Sequence, residues 1–597
     1  MALIFKKMAK KYKIILFSIL FLLVAAYFYI VFPAWGMPFN KQRHGQLPLT
    51  PSWALETWLW EDDLNTAAYV DELLEGYKEH DIPVRTVILD SPWSLRYNDF
   101  EVDTELYPEP EKWFKKLQDN GYRVVLWMTP NVNSYSKDTK IKNSEKWYSQ
   151  AKENGYLLAG DDTTSWWKGK GGYVDYTNPK AVNWWHAMQQ KVFDYGIDGW
   201  KLDGAATLAW TEVFGIPFFY KKSSEGIITT RKYMDMYYRE EYKHGLSQNP
   251  EFVTLSRSID RKSLHPEGFA PFDAAPVNWV GDQKHTWEET ETTNTKEAGS
   301  DDLVMEGEKG IGMALTHIMQ SAELGYNIIG SDIAGFSGNT IPPRLYMRWT
   351  QFSTFCGLFM NGGHAERRLW KRTKQELEVI RKFSWLHNEL VPYMYHYVVT
   401  AHNGGRILQT PLSKGKYQYM FGDDLLVAPI YVDSQNKDVY LPKGKWRYFF
   451  NDKEVFEGKQ KINKDFLLDE FPVFVKEGAI IPMNIERDYS GFGTEENMGK
   501  ITFVIYPDKE NSFDFYHLDK PDVKTTLSYK RTETELIIDI KGSELAHILN
   551  IHLSEKPNSI SKSGKELQEG IDWFYDTAKQ KLNIKTEDSQ NCKYIIK

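Results

Sequence analysis

The chain has 597 residues, 42% of them hydrophobic and 26% charged, which is a globular composition on a chain too long for one ordinary hydrophobic core. A formal net charge of -8 and a pI near 6.0 leave no basic footprint, so nucleic acid is excluded as the expected partner. Only Cys356 and Cys592 occur, far apart, so no disulfide framework is implied and Cys356 is expected as a buried thiol.

The first forty residues stand apart. Lys6, Lys7, Lys10, Lys11 and Lys13 precede an uncharged run from Ile14 to Phe32, and the next cation is Lys41. At ~1.5 Å per residue this run matches a ~30 Å hydrocarbon slab, and the one-sided lysines place the N-terminus in the cytoplasm. The expected division is a basic tail (1–13), a transmembrane anchor (14–32) and a linker (33–49), giving a single-pass type II protein whose bulk lies on the non-cytoplasmic side. A cleaved signal peptide and a secreted product are the alternative; the long run, the lack of a small-x-small site, and Tyr27, Tyr29 and Trp35 at the interface favour the anchor.

From about residue 50, short β-rich runs alternate with amphipathic stretches. WALETWLW (53–60) opens the series, followed by strands at 84–90, 123–130, 197–203, 251–258, 275–282, 327–333 and 356–363. Helical patterns lie at 109–121, 180–196, 231–245 and 310–325. Eight apolar strands with intervening helices predict an α/β fold, a (β/α)8 TIM barrel over 50–395. An open doubly wound sheet fits less well, because no glycine-rich dinucleotide turn follows the first strand.

The polar residues fall at strand ends. Asp90, Asp203, Asp282 and Asp332 close or follow their strands, Arg257 sits in LSRS, and FMNGG runs into His364. In a parallel barrel these ends open on one face, where several strands together build a site. One such Asp is ordinarily a helix cap or turn residue; five charged strand ends are harder to explain that way. Glycosidic bond cleavage needs one carboxylate that stays ionised and one acid that donates a proton, with no metal or other cofactor. Lys201 shares a face with Asp203 by the two-residue period of a strand, so it is expected to keep that neighbour ionised and to bond a sugar hydroxyl. Asp282, after Trp279 on an apolar run, is expected to be desolvated, with its pKa raised toward that of a working acid.

In order along the chain, ILD (88–90), VDYTNP (174–179), DGWKLDG (198–204), LSRS (255–258), NWVGD (278–282), TWE (286–288), GSDIAGF (330–336), MRW (347–349) and His364 resemble glycoside hydrolase family 31, the retaining α-glycosidases. FGDDLLVAPI (421–430), VYLPKGKW (439–446) and FPVFVKEGAIIP (471–482) resemble the small β-domain that follows the family's barrel. The resemblance implies Asp203 as nucleophile and Asp282 as acid/base, with Asp90, Arg257, Asp332 and His364 holding the glycosyl residue; Lys201 and Trp279 join the expected substrate-binding set. Lysine two before the nucleophile, where many α-glucosidases of the family carry tryptophan, is similar to α-xylosidases and to the related α-galactosidases. The lean is therefore to an α-xyloside or α-galactoside over an α-glucoside, with an oligosaccharide or glycoside as substrate. A catalytically inactive relative that binds sugar or protein at the membrane is the reading from another class; retention of both acids favours the enzyme.

Two departures from the family pattern matter. The family's N-terminal β-sandwich is missing before PSWALETW, and the acidic stretch at 285–310 is long enough to be either a solvated insertion or a lid. Beyond residue 396, period-two alternation broken by turn residues predicts two β-sandwich domains, 396–484 and 485–597.

Overall fold

The computed structural model describes residues 2–31, 45–143, 145–158, 164–204, 212–213, 216–217, 220–259, 269–287, 309–586 and 591–597. Most of the acidic stretch at 285–310 lies outside these. The N-terminus is a helix, Ala2–Ala26, continued by a π-helical turn, Tyr27–Val31. Its segment Lys10–Tyr29, with mean hydropathy 2.0, is long and apolar enough to cross a membrane.

The barrel has all eight expected strands: β1 (Thr57–Leu59), β2 (Thr86–Leu89), β3 (Arg123–Met128), β4 (Gly199–Leu202), β5 (Val253–Arg257), β6 (Val277–Trp279), β7 (Ile329–Gly330) and β8 (Phe359–Asn361). Hydrogen bonding runs β7-β6-β5-β4-β3-β2-β1-β8, every pair parallel, and a bridge between Asp332 and Met360 closes the ring. The observed strands are shorter than the apolar runs that announce them. The last residues of each run leave the ladder and turn onto the C-terminal face, so polar side chains end up on short loops held by a rigid wall.

Four of the helices start at a side-chain cap. The side chain of Thr66 accepts from the Tyr69 amide at the head of Ala67–Glu79, Asn178 from Lys180 at Pro179–Phe193, and Thr229 from Lys232 at Thr230–Gln248. Thr373 and Glu376 form a reciprocal capping box on Lys374–Glu389. Helices Ala67–Glu79 and Pro343–Ser353 were not among the expected elements, nor was a three-stranded excursion (Asn131–Ser136, Thr164–Trp166, Gly169–Tyr173) between β3 and β4.

The barrel wall carries buried tryptophans on both of its faces, with Trp58, Trp200 and Trp279 at or below 1% exposure, Trp200 packing outward on Phe193 and Phe252. Arg348 is buried with no carboxylate paired to it among the described residues; it donates to the carbonyls of Phe466 (2.7 Å), Glu470 (2.8 Å) and Leu467 (3.1 Å), locking a barrel helix to the following β-region. That region has a six-stranded and a two-stranded sheet between Gln409 and Lys476. The chain then builds a five-stranded and a six-stranded sheet, the former starting with Ile480–Met483, a strand that precedes the division expected at 484. Cys356 and Cys592 are both free and buried.

Candidate active site

The eight strand ends converge on a pit at the C-terminal face. Asp203 follows β4 and Asp282 follows β6, each beside a glycine with positive φ: Gly204 at 76° and Gly281 at 94°. Those turns, open to glycine at no steric cost, take the chain sharply off the strand and leave both carboxylates facing inward. A Cβ on Gly204 would lie 2.6 Å from the Thr129 side chain, so the close approach needs glycine as well.

Arg257, at the end of β5 between them, ties the two acids together. Its Nη2 donates to Oδ2 of Asp282 at 2.8 Å and its Nε lies 3.4 Å from Oδ1 of Asp203. One rigid guanidinium thus spans both carboxylates, whose contacted oxygens are less than roughly 9 Å apart. Asp203 also accepts from the Trp127 indole at 3.2 Å, and Asp282 from the Trp279 indole at 3.4 Å. With side chains 15% and 21% exposed, these are the two strand-end acids with most access to solvent, whereas Asp332 is 1% and Asp90 6% exposed.

Two electrostatic expectations are corrected. Lys201 is not the cation beside Asp203: its Nζ pairs with Oδ2 of Asp90 at 2.6 Å and lies over the Trp60 ring at 3.8 Å. The alternation of a strand puts Lys201 on the correct face, but its long stem carries the charge away toward β2; the cation at Asp203 is Arg257. Burial alone would depress the Lys201 ammonium, but Asp90, then Asp332 and Asp282, hold it above its ordinary value. Nor is Asp282 raised. Burial pushes its carboxyl up, but Arg257 and then Lys201 outweigh that and leave it below the usual carboxylate range.

The raised strand-end acid is Asp332, pushed up to about 7 by burial and by Asp282, against the pull of Lys201 and Arg367. His364 reaches the pit indirectly. Its ring is gripped by Asp63 through Nδ1 (2.6 Å) and by Asp62 through Nε2 (3.1 Å), and packs on Phe336. Burial opposes protonation of His364, but the two aspartates raise it above its ordinary value.

The structure therefore brings Asp90, Lys201, Asp203, Arg257, Trp279 and Asp282 into a chain of direct contacts. Asp332 joins it through charge and His364 through Asp62. Three further residues belong here that the strand-end argument passed over: Trp60, Trp127 and Asp62. Asp62 is pushed up to about 6 by burial and then by Asp90, with His364, Lys168 and Lys201 opposing. Its signal was legible as the EDD directly after the opening strand; the tryptophans carried none, because a strand tryptophan is ordinarily core. Among the described residues no three His, Cys, Asp or Glu side chains are grouped to hold a metal ion.

Comparison with known proteins bears on the fold and the family. The family model described as the Glycosyl hydrolases family 31 TIM-barrel domain matches residues 47–298 and 308–397, and that of the Glycosyl hydrolase family 31 C-terminal domain matches 393–481. The isomaltosyltransferase of Sporosarcina globispora is 24% identical over 92% of this chain and 53% of its own length; the alpha-xylosidase of Emericella nidulans is 25% identical over 74% and 55%. The chain thus spans little more than half the length of these relatives. Among solved structures, the Flavobacterium johnsoniae GH31 dextranase superposes with a TM-score of 0.78 at 24% identity, covering 93% of this chain and 71% of that one, which shows the shared fold. With the family model covering more than half of its residues, the chain belongs to glycosyl hydrolase family 31.

Proposed function

We propose that the protein is a retaining α-glycosidase in which Asp203 is the nucleophile and Asp282 the acid/base. The observation that carries this is the single guanidinium of Arg257 contacting both carboxylates at one open pit. Asp203 attacks the anomeric carbon while Asp282 protonates the leaving oxygen; Asp282 then takes a proton from the water that releases the sugar. Arg257, and after it Lys201, holds the Asp282 carboxyl below its ordinary range against the push of burial, so a sugar hydroxyl that draws the guanidinium away shifts Asp282 back toward a working acid. Asp90, Lys201, Arg257, Trp279, Asp332 and His364 form the wall against which the glycosyl residue is held.

The buried Lys201–Asp90 pair, in a pit already crowded by Trp60, favours α-xylosides or α-galactosides over α-glucosides, and the likeness to an alpha-xylosidase supports the same lean. The N-terminal helix is read as an uncleaved anchor over 14–32, holding the barrel (50–395) and two β-domains (396–484 and 485–597) on the non-cytoplasmic side. Hydrolysis of aryl α-xyloside, α-galactoside and α-glucoside by the wild type and by Asp203→Ala tests the proposal. Turnover that survives in Asp203→Ala removes the nucleophile, fastest turnover of the glucoside removes the sugar preference, and an inactive wild type returns the binding-protein reading.

A further inference from the structure

The carboxylate of Asp203 is held by Trp127 and Arg257, but a side chain is only as well placed as the backbone that carries it. That backbone lacks a ladder bond. The register of β3 against β4, Trp127 beside Lys201 and Met128 beside Leu202, has the Asp203 amide donate to the Met128 carbonyl at 3.0 Å and calls on residue 130 to donate back to the Asp203 carbonyl. Residue 130 is Pro130, which has no N–H to give. Among the described residues no other backbone amide reaches that carbonyl, and a carbonyl on the closed side of the barrel wall needs a donor.

Tyr237 supplies it. Its side chain, 0% exposed, comes from the helix Thr230–Gln248, and its hydroxyl donates to the Asp203 carbonyl at 3.1 Å, with the Met128 carbonyl 3.4 Å away. One phenol thus bridges the ends of β3 and β4 at the residue that bears the carboxylate. The helix behind it is itself fixed. Glu241, one turn after Tyr237 and fully buried, accepts from Tyr176 at 2.5 Å, and from Trp185 at 3.0 Å and Gln189 at 2.7 Å on the helix Pro179–Phe193 that leads into β4. Tyr176, the tyrosine of VDYTNP, therefore works behind the wall and not in the pit.

We propose that Tyr237 is a positioning residue for the nucleophile: its hydroxyl stands in for the ladder bond that Pro130 cannot make, and so fixes the Asp203 turn and the reach of its carboxylate toward the anomeric carbon. It rests on the reading of Asp203 as nucleophile. A displaced attacking oxygen slows bond formation and leaves the wall that binds the sugar untouched, so the effect falls on kcat.

The test compares Tyr237→Phe with Tyr233→Phe on the aryl α-glycoside that the wild type turns over fastest. Tyr233 lies on the same helix, is 0% exposed, and its hydroxyl meets no hydrogen-bond partner among the described residues, so Tyr233→Phe keeps the wild-type kcat and controls for loss of a buried hydroxyl. Tyr237→Phe loses about tenfold to a hundredfold in kcat with KM changed by less than about twofold. Trapping with a 5-fluoroglycosyl fluoride, read by mass spectrometry, counts the competent sites and keeps the comparison per folded molecule. Pro130→Ala, which restores a backbone donor, recovers most of the loss in the Tyr237→Phe background. A Tyr237→Phe kcat within about twofold of wild type, an equal loss in Tyr233→Phe, or a loss carried by KM overturns the positioning role. A double variant no better than Tyr237→Phe overturns the exchange of hydroxyl for ladder bond. With Asp203→Ala inactive, each of these results leaves the nucleophile standing; turnover that survives in Asp203→Ala removes both.

Discussion

Replacing Asp282 by Ala probes the assignment most directly, because the two acids differ in what their removal permits. General acid assistance contributes about a hundred- to ten-thousand-fold, or ~3–5 kcal/mol, and only where the leaving group needs a proton. The Arg257 contact to Asp203 at 3.4 Å and the Trp127 contact at 3.2 Å do not pass through Asp282, so Asp203, the proposed nucleophile, keeps these partners in the variant. Asp282→Ala should therefore lose about a hundred-fold or more in kcat/KM on a disaccharide but less than about tenfold on the matching glycosyl fluoride. The substitution also opens the face from which the leaving group departs. Sodium azide should accelerate turnover of the glycosyl-enzyme and give an α-glycosyl azide, whereas Asp203→Ala with a glycosyl donor of opposite anomeric geometry should show no such rescue. Products are identified by the proton coupling at the anomeric carbon. Equal losses on both substrates without azide rescue would refute the role of Asp282. An α-azide product from Asp332→Ala instead would move the acid to the residue whose pKa is already near 7.

Two further outcomes follow from buried charge. Lys201→Met leaves the Asp90 carboxylate, 8% exposed, without its cation, and should destabilise the barrel by about 3 kcal/mol, seen as a lower Tm by tryptophan fluorescence; the double variant Lys201→Met/Asp90→Asn should recover most of the loss, and a single variant with wild-type Tm would contradict the pairing. Glu389, fully buried, has its carboxyl pushed up to about 8 by burial. The unfolded chain releases this proton near the ordinary carboxylate value while the folded one keeps it, so stability contributed at low pH is lost as pH rises toward the folded pKa. Glu389→Gln should be close to wild type at about pH 5 and more stable by about 3 kcal/mol at about pH 8, and a Tm difference that does not widen with pH would count against the burial argument.

The sequence by itself determined the barrel and the order of its parts. Strand positions were legible because a parallel strand buried on both faces is a continuous apolar run, and because the turn that ends it carries a polar residue; Asp90, Asp203, Arg257, Asp282 and Asp332 were all found that way. The apolar N-terminal run was legible for the same reason, since length and composition alone decide whether a helix is long and apolar enough to cross a membrane. Only the tertiary structure decided which charge faces which. Lys201 and Asp203 share a face, but a lysine stem is long enough to reach Asp90 on another strand, and Asp282 owes its low pKa to Arg257, twenty-five positions away along the chain. Trp127 and Trp166 acquire meaning only when a separate excursion lays one ring over the other beside a carboxylate. Local periodicity specifies the wall to which a side chain belongs; electrostatics depends on distances between walls, and those exist only once the ring has closed.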